Sequence, residues 1–385
     1  QGAVGTDAAV AGGSTNVETK WRPDERIVIQ RLPFPKLPVA RLSTADFVPR
    51  LRVLEQALEA SKIQISPEKA MQLVTQFLLA NRARLRVDVE LEHWRQAVLE
   101  AFGGSLKEIT RAAGVFARLS QKKFLAYALY KVAAEEGYQN AAYQYAVIIG
   151  TDVVRVHGGL AQSLAIIKDL VALGHPQSHI TLSDIKLQSG SAENRKCAVE
   201  LLEKAWRLGE PAAAFRLGNL YREGKAVEKD YARAIAWYDR ASEKGAPEGH
   251  FMVGNMYSRG QGTADGQPDD SAAFRRMEQA AMAGSVEAQY NLGHFYLEGR
   301  GVDKNPGLAV EFWSMASARQ FPIAMLNLAK LLTEGEVVSK DHRRARGLLE
   351  AAVAYSGSDR FIADQANMLL EKLGPAKKDT RCTIM

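Results

Sequence analysis

The sequence predicts an all-α protein: a right-handed α-solenoid of about seven two-helix repeats, ~36 residues each, behind an N-terminal helical cap. Three observations predict it. One phrase returns at near-fixed spacing: residues 217–226 read LGNLYREGKA, 253–262 read VGNMYSRGQG and 292–301 read LGHFYLEGRG. Seven positions mark the unit ends, Gly137, Gly174, Gly209, Gly245, Gly284, Gln320 and Ser356, at spacings of 37, 35, 36, 39, 36 and 36. Around these marks, residue size alternates in columns that fit helical faces.

Counting back four gives Ala133, Leu170, Ala205, Ala241, Ala280, Ala316 and Ala352. Counting back seven gives Tyr130, Ile167, Leu202, Tyr238, Met277, Trp313 and Leu349. Counting back eleven gives Ala126, Ser163, Ala198, Ala234, Ala273, Ala309 and Ala345. Offsets of 4, 7 and 11 share one helical face, so a large knob sits between small neighbours, as close packing on two other helices requires. Counting forward eight gives Tyr145, Leu182, Leu217, Val253, Leu292, Leu328 and Asp364, which places a second helix after each mark. Tyr221, Tyr257, Tyr296 and Leu332 extend that helix, and Gly224, Gly260, Gly299 and Gly335 close it. One such hairpin cannot bury its apolar face alone, and stacking does it. The 39-residue interval carries its extra residues in QGTADGQPDD (261–270), which predicts a loop insertion.

In chain order, residues 1–43 read as a flexible tail, aperiodic to about position 25, followed by a Pro-rich extended strap, RLPFPKLPVARL (31–42). Residues 44–104 read as the helical cap. Thr44 is the expected N-cap of a helix to about Ser61, with Pro49 near its first turn. Ser66, with Pro67 at N1, opens a second to about Arg84, and Asp88 caps a third to about Phe102. Ser105 starts the first helix before the repeats. The repeat span is 105–374, its last helix being 360–374, stopped by Gly374 and Pro375. Residues 375–385 are a polar tail.

Composition narrows the function classes. With 46% hydrophobic and 24% charged residues, the 385-residue chain has the profile of a folded protein with a large core. No apolar run of ~18 residues reads as a membrane span. The net charge of +6 is spread among 44 acidic residues, without a basic stripe beside aromatics, so nucleic acid is not expected as a directly read partner. Two cysteines, Cys197 and Cys382, supply neither a disulfide framework nor a Cys-based zinc site, which fits a reducing intracellular compartment. The chain starts at Gln1, which reads as a processed or trimmed start.

Residues 212–245, AAAFRLGNLYREGKAVEKDYARAIAWYDRASEKG, resemble the Sel-one-like repeat, a cousin of the tetratricopeptide repeat. Ala213, Leu217, Gly218, Tyr221, Gly224, Asp230, Ala234, Trp237, Tyr238, Ala241 and Gly245 match its pattern. The match is strong over 212–352 and weaker over 122–211, where the Tyr and closing Gly columns decay. The resemblance implies an adaptor that presents a concave groove to proteins or extended peptides, with no catalytic residues and no cofactor. Groove contacts are expected among the polar neighbours on the first helix of each unit: Arg216, Asn219, Asn255, Asn291, His294 and Asn327.

The candidate chemical motifs are weaker. GNLYREGKA has five residues between Gly218 and Gly224, and Ala226 stands where a phosphate-binding loop needs Ser or Thr. HPQSH places His175 and His179 at i,i+4, but across a turn and helix start, with no third ligand evident. There is no HExxH and no GxSxG. A metal or nucleotide is therefore not expected, and the chain reads as a non-enzyme.

The last four residues, CTIM, fit a prenylation box at Cys382, with Lys377, Lys378 and Arg381 as basic companions. Repeats joined to such a box resemble fungal chitin synthase regulators. The leading expectation is a scaffold that serves as an assembly factor or subunit of a large complex, in the mitochondrial interior. The alternative is a membrane-recruited regulator of an enzyme on a cytosolic membrane face, with membrane contact only if Cys382 is prenylated.

Overall fold

The computed structural model describes residues 21–22, 25–29, 43–46, 50–82, 87–119, 123–151 and 158–374. Among them all regular structure is helical: eighteen α-helices, one 3-10 turn and no strand. Pairs of antiparallel helices stack on one another, the packing of an α-solenoid. The chain forms two compact units, 1–190 with 207–209, and 191–206 with 210–385.

The first unit holds α1 (Leu51–Ala60), α2 (Pro67–Arg82), α3 (Val87–Ala101), α4 (Leu106–Leu119), α5 (Phe124–Glu135), α6 (Gln139–Gly150), α7 (Gly159–Ala172) and α8 (Pro176–Gln188). The α2 and α3 helices pack as a pair, and α4 to α8 stack in sequence. Trp94 of α3 lies against Phe77 of α2, ring centroids 5.1 Å apart, and its indole N–H donates to the Leu73 carbonyl at 2.9 Å. The central helix is α5, where every residue from Leu125 to Ala134 is buried.

One of those residues is Lys131, which lies in an ionic cluster bridging α3 and α5. Arg95 and Lys131 are each 2% exposed in their side chains. Arg95 Nη1 lies 3.0 Å from Glu92 Oε1, its Nε 4.0 Å from Glu135 Oε2, and its other Nη pairs with Glu136. Lys131 pairs with Glu135, whose side chain is only 4% exposed. Burial pulls the Lys131 ammonium below its usual pKa, and Glu135 opposes that pull.

Two expectations for this unit need correction. Thr44 does not cap a helix to Ser61. Thr44–Asp46 is a single 3-10 turn, closed by Asp46 Oδ2 accepting from the Ser43 N–H and hydroxyl at 2.7 and 2.9 Å, and α1 begins only at Leu51. A proline in this stretch biases its preceding residue away from the helical region, and Pro49 itself lies outside the described residues. The third helix begins at Val87, so Asp88 is in its first turn and not its cap. At the end of the span read as a flexible tail, Trp21, Arg22 and Glu25 hydrogen-bond to Gln139 of α6, while residues 1–20 lie outside the described residues. The caps at Ser66 and Ser105 are as expected, with Oγ accepting from Lys69 N–H at 3.2 Å and Glu108 N–H at 3.4 Å. The Pro-rich strap at 31–42, the tail at 375–385 and Cys382 lie outside the described residues.

The second unit runs through α9 (Ala192–Arg207), α10 (Pro211–Glu223), α11 (Tyr231–Glu243), α12 (Glu248–Tyr257), α13 (Asp270–Met282), α14 (Val286–Glu298), α15 (Pro306–Ala318), α16 (Pro322–Glu334), α17 (His342–Tyr355) and α18 (Arg360–Leu373). Each repeat pairs its first helix with its second: α10 with α11, α12 with α13, α14 with α15, α16 with α17. The second helices share one opening device. Asp230, Asp269, Asn305 and Asp341 each accept, through Oδ1, from the backbone N–H three residues on, at 2.8–3.1 Å. Each such cap contributes about 1 kcal/mol. That is why an acidic or amide residue recurs in the loop.

The unit marks are backbone devices too. Gly245 and Gly284 sit at φ +92° and +95°, in the left-handed region. Gln320 takes that conformation without being glycine, at φ +62°. At the last mark the role slips by one residue, Ser356 being right-handed and Gly357 left-handed.

The Leu-Gly column has a steric cause. A Cβ on Gly218 would lie 2.6 Å from the Tyr238 ring, one on Gly254 3.0 Å from Met277 Cε, and one on Gly293 2.1 Å from Trp313 Nε1. The large knob of each second helix therefore lies directly on the bare backbone of the first. Trp313 crosses Gly293 and donates its indole N–H to the Tyr290 carbonyl at 2.9 Å. In the next repeat the same columns hold Ala329 and the smaller Leu349, which share one buried cluster.

Candidate functional site

The packed faces above leave one stripe of each first helix in the second unit outward. Counted from the unit marks it falls at +3, +7, +10 and +14, a helical stripe by spacing. It reads Ala212, Arg216, Asn219, Glu223 on α10; Glu248, Met252, Asn255 on α12, with Arg259 in the turn just after it; Glu287, Asn291, His294, Glu298 on α14; and Ile323, Asn327, Lys330, Glu334 on α16. None of these residues is buried. The middle of the surface is rich in amides, and carboxylates stand at its ends.

All six predicted groove residues fall on this stripe. Arg216 is exposed; Asn219, Asn255, Asn291, His294 and Asn327 are half-buried. Some of them are drawn together. Asn327 Nδ2 donates to the Tyr290 hydroxyl at 3.1 Å and lies 3.3 Å from His294 Nε2, which links α16 to α14. An amide donor on Nε2 places the ring proton on Nδ1, toward Glu298 Oε1 at 3.6 Å. Burial holds the His294 pKa below its usual value against the pull of Glu298, so the ring is neutral at pH 7.

Asn219 Oδ1 accepts from the Tyr238 hydroxyl at 2.7 Å, and that hydroxyl accepts from Arg222 Nε at 3.2 Å. Burial raises the Tyr238 pKa, so that hydroxyl keeps its proton. Asn291 Nδ2 donates within its own helix to the Glu287 carbonyl at 2.8 Å. Arg216 stands on α10 and Asn255 on α12. The remaining predicted site residue, Cys382, is outside the described residues.

Trp313, a knob of the size columns, and Tyr290, which the columns do not single out, both lie against the polar stripe. His294 lies edge-on to Trp313 at 5.1 Å and to Tyr290 at 5.0 Å, and Tyr290 edge-on to Phe321 at 5.6 Å. The signal was present in the size columns: a large aromatic knob beneath the stripe must place its polar tip near the stripe's amides.

The HPQSH histidines are structural in their contacts. His175 is fully buried; its Nδ1 accepts from the Ser178 N–H at 3.3 Å, capping α8, and its Nε2 faces Asn140 Oδ1 at 3.0 Å. Burial, with His179 adding to it, lowers the His175 pKa to about 4. His179 Nδ1 lies 2.9 Å from the His175 carbonyl. Among the described residues no group of three or more His, Cys, Asp or Glu side chains is placed to hold a metal ion, and no helix is long and apolar enough to cross a membrane.

The profile of the Sel1 repeat matches residues 211–245, 247–285, 286–321 and 322–354, the four repeats that carry this surface. The chain is 30% identical over 128 residues to the chitin synthase regulator SKT5 of Saccharomyces cerevisiae, covering 33% of this chain and 18% of that protein. Among solved structures, c5321, a protective antigen of uropathogenic Escherichia coli with an SLR fold, is similar at TM-score 0.51 and 23% identity, over 74% of this chain and 59% of that one. A Sel1 repeat protein from Oxalobacter formigenes is similar at TM-score 0.45 and 24% identity, over 56% of this chain and 95% of that one. The chain thus spans less than a fifth of the curated relative and under two thirds of the first of these structures.

Proposed function

We propose that this chain, whose residues 211–354 are four Sel1 repeats, is a non-enzymatic scaffold that holds a protein or an extended peptide along the first helices of those repeats. It serves there as an assembly factor or a subunit of a larger complex. The observation that carries the reading is the repetition of one half-exposed polar stripe on α10, α12, α14 and α16, with amides at its centre. An amide side chain offers both donor and acceptor, so it reads the backbone of a peptide irrespective of its side chains. The hydrogen bonds of Asn219 and Asn327 to tyrosine hydroxyls hold those amides in place before a partner arrives, which lowers the ordering cost of binding.

The test is a pair of charge substitutions at the centre of the stripe. Asn255→Arg with Asn291→Arg should weaken binding of a purified native partner by at least about tenfold, equivalent to about 1.4 kcal/mol. Helix content and melting should stay as in the parent, since neither position is buried. Unchanged affinity in the double variant would remove this surface from the account.

A second reading has its own support. The similarity to a chitin synthase regulator, together with the CTIM ending, favours a regulator recruited to a membrane through a lipid on Cys382. In cells, Cys382→Ser should then move the protein from the membrane to the soluble fraction. A distribution that ignores the substitution would leave the scaffold reading alone.

A further inference from the structure

In the first unit, residues from far upstream in the sequence dock at the start of α6. Gln139, at the start of α6, is 1% exposed, and its amide is engaged by a segment more than a hundred residues away in sequence. Its Oε1 accepts from the Trp21 indole N–H at 3.0 Å, and its Nε2 donates to the Arg22 carbonyl at 3.0 Å and the Glu25 carbonyl at 2.6 Å. Ile27 N–H donates to the Gly137 carbonyl at 3.1 Å, and the Ile27 side chain is 5% exposed. The Trp21 ring stands edge-on to the buried His175 ring, centroids 5.9 Å apart, and Tyr143 flanks that histidine at 5.2 Å. Gly137 has no room for a side chain, because a Cβ there would lie 2.9 Å from Arg26 Cβ.

The division of labour is that of a ligand in a receptor. Two of the contacts read backbone carbonyls, one reads an indole N–H, and one apolar side chain is swallowed. The rest of the segment faces outward: Arg22, Glu25 and Arg26 are exposed, and Val28 is 92% exposed. The described residues of the segment, 21–22 and 25–29, belong to no helix, so their attachment rests on these contacts and not on a repeat.

We infer that the surface formed by Gly137, Gln139, Tyr143 and His175 is a binding site for an extended peptide with Trp and, six residues later, an aliphatic side chain, and that Trp21, Arg22 and residues 25–27 occupy it in cis. A protein segment of that pattern displaces these docked residues, the cis strap, and takes their place. Tethering gives the cis segment a high effective concentration, so weakening it must raise the affinity for the same sequence in trans. This inference stands on the first unit alone, and its failure would leave the repeat-face scaffold untouched.

The test uses the full chain and a labelled peptide of residues 19–30, TKWRPDERIVIQ, with a scrambled peptide as control. The variant Trp21→Ala/Ile27→Asp should bind the peptide saturably, at least about tenfold tighter than the parent chain does, and adding Gln139→Leu should abolish that binding. Absence of saturable binding, equal affinity in the parent, or indifference to Gln139→Leu would each overturn the proposal. So would loss of helix content in the double variant, since the strap would then be a permanent part of the core. A second measurement needs no variant. In the parent chain, hydrogen exchange at the Ile27 amide should be at least about a hundredfold faster than at the amides of α5, as a displaceable strap requires. Exchange of Ile27 in step with α5 would show a strap that opens only when the unit unfolds, and would overturn the proposal.

Discussion

Gly293→Ala should destabilise the second unit by about 2 kcal/mol, although Ala is the better helix former by about 1 kcal/mol. The added Cβ would lie 2.1 Å from Trp313 Nε1 and 2.3 Å from its Cδ1. The indole cannot retreat without leaving its 2.9 Å bond to the Tyr290 carbonyl, worth about 1 kcal/mol, and overpacking adds about 1–3 kcal/mol. The same substitution at Gly347, mid-way along α17, should have the opposite sign. An added Cβ there meets nothing within 4 Å, so the propensity gain of ~1 kcal/mol stands unopposed. Pairing Gly293→Ala with Trp313→Leu copies the Ala329 and Leu349 combination found in the next repeat. The pair should show a favourable coupling of ~1–2 kcal/mol relative to the sum of the single changes. Hydrogen exchange in α14 and α15, measured beside urea melts of the four variants, reads the effect where it arises. Equal and small losses at Gly293 and Gly347 would show that the Leu-Gly column does not exist for the knob.

Lys131→Met should cost about 3 kcal/mol in the first unit. Methionine fills the space of the lysine stem, so the loss is electrostatic. The Glu135 carboxylate, 4% exposed, would be left with Arg95 Nε at 4.0 Å. Breaking one partner of a buried pair is worse than removing both, because the first leaves a charge away from water. Lys131→Met with Glu135→Leu should therefore recover most of the loss, while Arg95 retains Glu92 at 3.0 Å and Glu136. Thermal melts of the single and double variants decide it. A double variant less stable than the single would mean that the cluster acts through packing and not through charge.

The repeats were legible because every determinant of a unit lies within about one period of its mark. The alanine and knob columns, the N-cap at Asp230 and the left-handed Gly245 act over four to eleven residues, and the Gly218–Tyr238 contact closes over twenty. Local causes leave periodic traces, and a period survives even where single residues vary. The amide stripe was legible for the same reason, as polar positions at helical spacing between buried ones. What the chain concealed was long-range and unrepeated. Trp21 meets Gln139 118 positions later, and no composition signal in an aperiodic, charged stretch points to such a partner. The Arg95 to Glu136 pairing spans 41 positions and looks, in sequence, like ordinary surface charge. Thr44 illustrates a local competition misjudged: the Asp46 side chain closes a short turn on Ser43 where a longer helix was expected.

The central claim is that partners lie along the first helices of the Sel1 repeats. Its most direct measurement is site-specific photo-crosslinking in the protein's own cells, with a photoreactive residue placed at Asn219, Asn255 or Asn291 on that face, and at exposed Glu278 on the second helix α13 as the contrast. The account predicts adducts from the three asparagine positions to one polypeptide, at sites ordered along its sequence, and none from Glu278. Adducts from Glu278 alone, or adducts from the asparagines to unrelated proteins without order, would contradict it.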